Sequence, residues 1–512
     1  MSEQVPSWKQ RIGFIAVVFG MFMAILDIQI VASSLNEIQA GVSATRDQIS
    51  WVQTAYLIAE VIMIPLSGML TRILSTRVAF VLSCAGFTLA SVGCALATSL
   101  PVLVALRALQ GFLGGAMIPI AYAVSFSVFP SRMLGMVQAV MGLVATMAPS
   151  IGPTVGGLIT QTLSYHWLFF VNVLPGILVS VAVWNTLDID TGDRRLIRRL
   201  DVVGLALMAT FLGCLEYVLE EGPGDDWFDS TLIRSLSLVT VVAAVAFFVR
   251  VMTVETPIVD LRAFRNRNFA IGAGLGFCVG IALYGLTYLM PQFFGVVRHY
   301  NALQIGEIMF VTGAAMFCFA PVAGRASDYM DPRILLAVGL TCVGIGTAMN
   351  STLDSQAGYD YFFWPQVIRG IGLVLCIIPI TRIALGTLPK HEVGNASGLF
   401  NVLRNLGGAV GLAMLDTTRD VQFDVHWNAL IPHIDTGREV VLERLQSLQL
   451  TLTGASPDPQ AGAVALLAQR IGTEAQTMAF NDIFLWMGII YLVAVPLLLF
   501  MNPPRAGASG GH

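Results

Sequence analysis

Apolar runs long enough to cross a bilayer recur along almost the whole chain, at residues 12–35, 51–70, 78–98, 101–125, 135–160, 168–187, 202–220, 232–251, 269–290, 303–322, 334–350, 364–386, 394–415 and 482–501. About twenty apolar residues span the hydrocarbon core as a helix, and a helix satisfies its own backbone where lipid offers no partner. The sequence therefore predicts an all-α integral membrane protein with about fourteen transmembrane helices. Composition agrees, since 56% of the residues are hydrophobic and only 12% charged. A soluble domain carries about twice that charged share. Pro130, Ser131 and Arg132 separate the fourth run from the fifth.

Loop arginines set the orientation. Arg72, Arg77, Arg132, Arg194, Arg195, Arg198, Arg199, Arg262, Arg265, Arg267, Arg325, Arg333 and Lys390 fall on alternate connections. The opposite short loops hold little beyond Arg46, Arg234 and Arg298, and carry the acidic cluster Glu220, Glu221, Asp225, Asp226 and Asp229. By the positive-inside rule both termini are expected to be cytoplasmic, in a multi-pass protein of the inner (cytoplasmic) membrane. The first run follows Lys9 and Arg11, contains Asp27 and lacks a small-residue cleavage site, so it is expected to stay in the mature protein. With a net charge of −4 and its arginines spread over membrane-flanking loops, the chain gives no sign of a nucleic-acid partner. All seven cysteines lie in apolar runs without a Cys-x-x-Cys pair, so neither a disulfide framework nor a metal site is expected.

An internal repeat defines the architecture. SGMLTRILSTR (Ser67 to Arg77) after the second helix matches AGRASDYMDPR (Ala323 to Arg333) after the tenth, with Gly68 against Gly324 and Arg77 against Arg333, both 256 residues apart. LQGFLGGAMIP (Leu109 to Pro119) echoes IRGIGLVLCIIP (Ile368 to Pro379) at nearly the same offset. Two six-helix bundles are the natural unit. The spans at 202–220 and 232–251 match neither half and read as an inserted pair. This gives an N-terminal bundle at 1–190, an insert with flanking loops at 191–258, and a C-terminal bundle at 259–512. The one sizeable hydrophilic excursion, 416–480, is expected to be an extracytoplasmic loop with an amphipathic helix in GREVVLERLQSLQL, then a breaker, GASPDP, and a second, Ala-rich candidate helix.

Within the fifth span, GLVATMAPSIGPTVGG runs from Gly142 to Gly157. Ala145, Pro149, Gly152 and Gly156 fall at i, i+4, i+7 and i+11, leaving one helical face almost bare for close approach of a neighbour. Pro149 and Pro153 each remove a backbone hydrogen bond. Gly142, Pro149, Gly152, Pro153, Gly156 and Gly157 are therefore candidates for a hinge, with ordinary small-residue packing as the alternative.

These residues resemble the major facilitator superfamily, and within it the fourteen-helix drug:proton antiporter family of EmrB and QacA type. The similarity runs through LDIQIVASSL, SWVQTAYLIAEVIMIPLSG, LRALQGFLGGAMIP, GPTVGG, HWLFFVNVLPG, RRLDVVGL and PIVDLRAFRNRNF. It implies alternating access, and GPTVGG corresponds to a motif associated in the superfamily with export. The family's loop motif after helix 2 usually has an aspartate where this chain has Arg72 and a glycine where it has Ser75, whereas the C-terminal copy keeps Asp328. The resemblance also implies a proton gradient as energy source with no bound cofactor. It further implies small hydrophobic substrates, and a periplasmic adaptor protein leading to an outer-membrane channel.

Charges within the hydrocarbon are costly and each demands a reason. Asp27 shares a face with Gly20, Ala24, Val31 and Ser34. The resemblance links it to proton coupling, while a helix-pinning hydrogen bond is the plain alternative. Arg107 shares a face with Gln110, Gly111 and Gly114, and in the family the corresponding arginine works beside the proton-carrying acid. Glu60, in mid-helix, is a second proton or cation candidate, with an interhelical bond as the alternative. Ser397, Asn401, Arg404, Gly408 and Gly411 form one stripe expected to face a central cavity. Gln110, Asn401, Arg404, Arg369, Tyr56 and Tyr288 are the candidate substrate-cavity residues, and Gly68, Arg72, Arg77, Gly324, Asp328 and Arg333 form the cytoplasmic loop motifs. Glu216 and Arg250, in the inserted pair, are expected to be interfacial anchors.

No phosphate-binding loop, zinc-binding histidine pair or activated nucleophile appears, so the sequence does not read as an enzyme. The expected function is proton-coupled export of hydrophobic drugs or related toxic compounds. A carrier for a specific metabolite or siderophore is the alternative, and an uncoupled channel a more distant one.

Overall fold

The computed structural model describes residues 6–500 apart from 131–132, 200, 255–256, 301, 387, 435–437 and 454–457; its described residues are helical, with no strand. Helices occupy every predicted span. They are α1 (Trp8–Ser33), α2 (Trp51–Leu74), α3 (Thr76–Leu96), α4 (Leu100–Val128), α5 (Leu134–Thr162), α6 (Trp167–Thr186) and α7 (Val202–Glu221). They continue with α8 (Thr231–Thr253), α9 (Arg267–Val296), α10 (Ala302–Tyr329), α11 (Pro332–Ala348), α12 (Tyr359–Gly386), α13 (Lys390–Leu430) and α14 (Pro459–Ala494). Thirteen are long and apolar enough among the described residues to cross a membrane. The other, α5, is a 29-residue helix, and several of its side chains, including that of Pro149, lie outside the described ones. So does the side chain of Asp328.

Polar residues mark where helices begin. Ser7 and Gln10 form a capping box at α1, and Asp201 accepts the Gly204 N–H at the start of α7. Asp331 and Asp458 cap α11 and α14, each just before a proline whose missing N–H costs nothing there.

Packing repeats with an offset of eight helices. In the first set α1 packs on α5 and α6, α4 on α2 and α3, and α3 on α6; in the second α9 packs on α13, α12 on α10 and α11, and α11 on α14. The close backbone approaches repeat as well. A side chain at Gly111 would run into the Tyr56 carbonyl, and one at Gly370 would come within 2.6 Å of the carbonyl of Thr312. The two sets meet along two seams, α5 with α10 and α12, and α13 with α2 and α4. The inserted α7 packs on α8, α2 and α13 and thus lies on the second seam alone.

Residues 416–480 hold the amphipathic helix expected in GREVVLERLQSLQL, but the flanking stretches differ from expectation. Instead of a loop, α13 runs on unbroken to Leu430 and α14 begins as early as Pro459, leaving a short connection that contains the helix Glu439–Leu452. No glycine or proline interrupts 416–431, so nothing stops the helix when its composition turns polar. The extensions clasp each other: His426 meets Asp482 at 2.8 Å, and Gly472 packs under Trp427.

Candidate functional site

At the centre of the first bundle, five helices bring together residues far apart in sequence. Arg107 of α4 donates to Asp27 of α1 at 2.6 Å, and both side chains are fully buried. Gln110 and Asn172 also donate to Asp27, at 3.1 and 2.6 Å. Gln110 donates further to Ser91 of α3 at 2.8 Å and accepts from Arg107 at 2.8 Å. The guanidinium closes the network by donating to the Val52 carbonyl at 3.1 Å and lying 4.3 Å above the Tyr56 ring. Asn172 sits where α6 is interrupted between Phe170 and Val173, which frees its side chain to reach across.

Asp27 is thus not on an open cavity wall. Two amide donors and one guanidinium hold it inside the bundle.

Glu60 of α2 contrasts with it. It is 4% exposed and has no hydrogen-bond partner among the described residues, yet it lies within electrostatic range of Arg107 from its own half and Arg404 from the other. Arg404 reaches across the seam to donate to the Tyr122 hydroxyl at 3.1 Å. Two turns earlier on α13, Ser397 donates to the Pro119 carbonyl of α4 at 3.3 Å. The Tyr56 hydroxyl, the Asn401 carbonyl oxygen and the Arg404 Nε are buried without a partner, so polar groups with spare capacity gather around Glu60 at this seam.

Arg369 belongs to a separate arrangement. It donates to Gln366, which also accepts from Thr312, while its Nε and Nη1 have no partner. Tyr288 lies nearer the end of the bundle opposite the termini, where it donates to Asp416 at 3.2 Å; Arg419 pairs with the same carboxylate at 2.7 Å.

The glycine string of α5 faces α1. A side chain at Gly152 would collide with Gln29, and one at Gly156 would come within 2.7 Å of the Ser33 hydroxyl and 2.9 Å of the Ile30 carbonyl. Gly142, farther along, lies against Ile377 of α12. Pro153 is half-buried and Gly157 buried. On the other seam an apolar cleft of about 260 Å³ opens between α5 and α10, lined by Met147, Ile151, Phe310 and Phe317.

At the end where the chain begins, Gly68 packs against the backbone of Gly394 and Asn395, joining α2 to α13. The acid absent from the position of Arg72 is supplied by the segment after α6. Asp190 accepts from the Thr76 N–H and hydroxyl at 2.9 and 2.8 Å, and Asp188 lies 3.9 Å from Arg77. Asp193 donates its N–H to the Arg72 carbonyl. In the second copy Gly324 is buried and the Arg333 N–H donates to Asp331.

Among the inserted helices, Arg250 pairs with Asp201 at 3.0 Å. Glu216, expected to be an interfacial anchor, is instead buried against α2. Sequence reasoning also missed Asn172 and Ser91. Their only signal was a neutral polar residue within an apolar run.

Two duplicated bundles meeting at paired seams, with an ion pair locked in one of them, define the class of secondary transporters. The chain belongs to the major facilitator superfamily, whose sequence profile matches residues 17–412. It is 42% identical over 489 residues to the colistin resistance protein EmrB of Acinetobacter baumannii, covering 96% of both chains. It is 30% identical over 506 residues to the multidrug export protein EmrB of Escherichia coli K12, covering 97% of this chain and 96% of the other. Among solved structures, the proton:xylose symporter XylE superposes with a TM-score of 0.59 at 12% identity over 96% of each chain, a likeness of fold.

Proposed function

We propose that this protein is a proton-coupled exporter of hydrophobic drugs or related toxic compounds, working by alternating access in the inner membrane with both termini in the cytoplasm. The full-length similarity to EmrB multidrug export proteins carries the direction and substrate class. The buried acids carry the coupling. Asp27 held by Arg107 and Glu60 set between Arg107 and Arg404 are titratable groups at places where a change of packing changes the cost of charge. Arg107 and Arg404 place permanent positive charge beside these acids. The unpartnered groups of Tyr56, Asn401 and Arg404 line the substrate path, and no bound cofactor is needed.

The same reading assigns the helical cap a partner. With about 1.5 Å per residue, the 41-residue α13 is about 60 Å long, roughly twice the hydrocarbon thickness. The cap exposes Val440, Leu442 and Leu450 on the helix Glu439–Leu452, a surface suited to a periplasmic adaptor that leads to an outer-membrane channel.

Reconstitution into proteoliposomes with an imposed pH gradient tests the function, with ethidium as a lipophilic cation and anilinonaphthalenesulfonate as a lipophilic anion. Saturable, gradient-driven movement of at least one probe, with proton counter-movement, is the expected result. Flux that neither saturates nor responds to the gradient overturns it.

A further inference from the structure

The inserted pair is joined to the transport core through α7. Its contact with α2 is set at Gly213, where a side chain would lie 3.3 Å from Ile58 and 3.6 Å from Ile62. Helical periodicity carries that face on to Glu216 and Glu220, three and seven residues later. Glu216 is 7% exposed and has no hydrogen bond or ion pair among the described residues. The charged groups around it are Glu220 on its own helix and Glu60 on α2. An interfacial anchor would turn toward lipid headgroups. This carboxyl turns inward, with no cation among the described residues to offset its burial.

Carboxyls continue on both sides of it. Toward the outer rim, Glu220 lies near Glu221 and Asp416; Glu221 accepts from Thr54 at 2.7 Å, and Asp416 is held by Tyr288 and Arg419. Toward the centre stands Glu60, within range of Arg107 and Arg404. The acids therefore descend along the α2–α7–α13 seam from the rim to the site, and Glu216 occupies the middle step.

We propose that Glu216 relays protons between the extracytoplasmic rim, at Glu220 and Asp416, and Glu60, so that the inserted helix supplies part of the coupling path. Each step transfers one proton between carboxyl groups through intervening water, so the acid that gains it becomes neutral and the one that loses it becomes an anion. The inference rests on the proton-coupled reading above. Glu216 is a positioning and proton-handling residue and does not touch the substrate.

The test uses the full-length protein in proteoliposomes, with an entrapped pH dye and whichever of ethidium or anilinonaphthalenesulfonate the wild type carries faster. Glu216→Gln is expected to slow substrate-coupled proton flux by about tenfold or more. Counterflow, the exchange of labelled for unlabelled probe without net proton movement, should stay within about twofold of wild type, since the relay is not used. Glu216→Asp, which keeps the carboxyl, should restore most of the coupled flux. Should Glu216→Gln fold poorly, Glu220→Gln is expected to show the same split between coupled flux and counterflow. Wild-type coupled flux in the glutamine variants, or equal loss of counterflow and coupled flux, overturns the relay while leaving proton coupling intact. A wild type that moves probe but no protons overturns the coupling itself, and the relay with it.

Discussion

The two halves of the transporter use the same backbone approach for opposite electrostatic ends. In the first, the glycine contact of α4 on Tyr56 places Arg107 against an acid, and Asp27, Gln110 and Asn172 use the guanidinium and one another. In the second, the matching contact of α12 on Thr312 places Arg369 among neutral groups, and two of its nitrogens have no partner among the described residues. Duplication preserved the scaffold while the acid was kept on one side. A buried cation with an acid is a lock that titration can open; a buried cation without one is a fixed positive field. The first half is thus suited to switching and the second to holding potential steady while it switches.

The sharpest test of this contrast is Arg107→Met. It strands Asp27 in the bundle and is expected to cost about 3–5 kcal/mol, read as a lower thermal midpoint of the purified protein, with gradient-driven transport lost. Asp27→Asn added to that variant should recover much of the stability and none of the coupling.

Next in size is Gly156→Leu, which drives a branched side chain into the Ile30 carbonyl and Ser33; a packing cost of about 1–3 kcal/mol and a stop in transport are expected. The second half offers the control, because Gly407 on α13 meets the Phe277 carbonyl of α9 in the same manner. If Gly407→Leu blocks transport in a well-folded protein as completely, the α5 string is packing shared by both halves and loses its standing as a hinge.

Arg369→Met should run opposite to Arg107→Met. Removing a buried cation that has no counter-charge is expected to leave the thermal midpoint unchanged or raise stability by about 1 kcal/mol. A loss as large as that of Arg107→Met means that a counter-charge is present and that the halves are more alike than described.

The smallest effect lies at the membrane edge. Burial alone would raise the Asp201 carboxyl, but the hydrogen bond and charge of Arg250 and the Gly204 N–H outweigh it and hold it below the ordinary value of 3.8. Because the folded state favours the ionised form, this stabilisation is complete above that ordinary value and is lost as pH falls through the lowered one. Asp201→Asn should therefore lower the thermal midpoint at neutral pH by the equivalent of about 1 kcal/mol or less, and the difference from wild type should vanish in strong acid.

The membrane class was legible because the length of an apolar run is a direct measure of what it can cross. Buried charges were legible too: an Asp, Glu or Arg in such a run stands out against its neighbours. Partnership could be read only through the resemblance, which sets Arg107 beside the proton-carrying acid. Asp27 and Arg107 are 80 positions apart, and nothing in either run says that they touch. Asn172 and Ser91 escaped because neutral polar residues in membrane helices commonly satisfy themselves on their own backbone, as Thr88 does on Cys84. Glu216 was taken for an anchor since distance from a helix end is visible in sequence and packing against another helix is not. In 416–480 the helices at 439–452 and from Pro459 are legible from their amphipathic and Ala-rich patterns, whereas their fusion with the flanking spans is not, because a change of polarity looks like a boundary.

The unbroken passage of α13 out of the membrane has a mechanical consequence. From mid-helix to Leu430 is about twenty residues, an arm of about 30 Å. If the bundles rock by about 15°, its tip swings by about 8 Å, while the residues around Arg404 near the fulcrum barely shift. The His426–Asp482 clasp ties that arm to α14, so under such a rocking the two would swing together and carry to their far end a displacement many times larger than the one at the site.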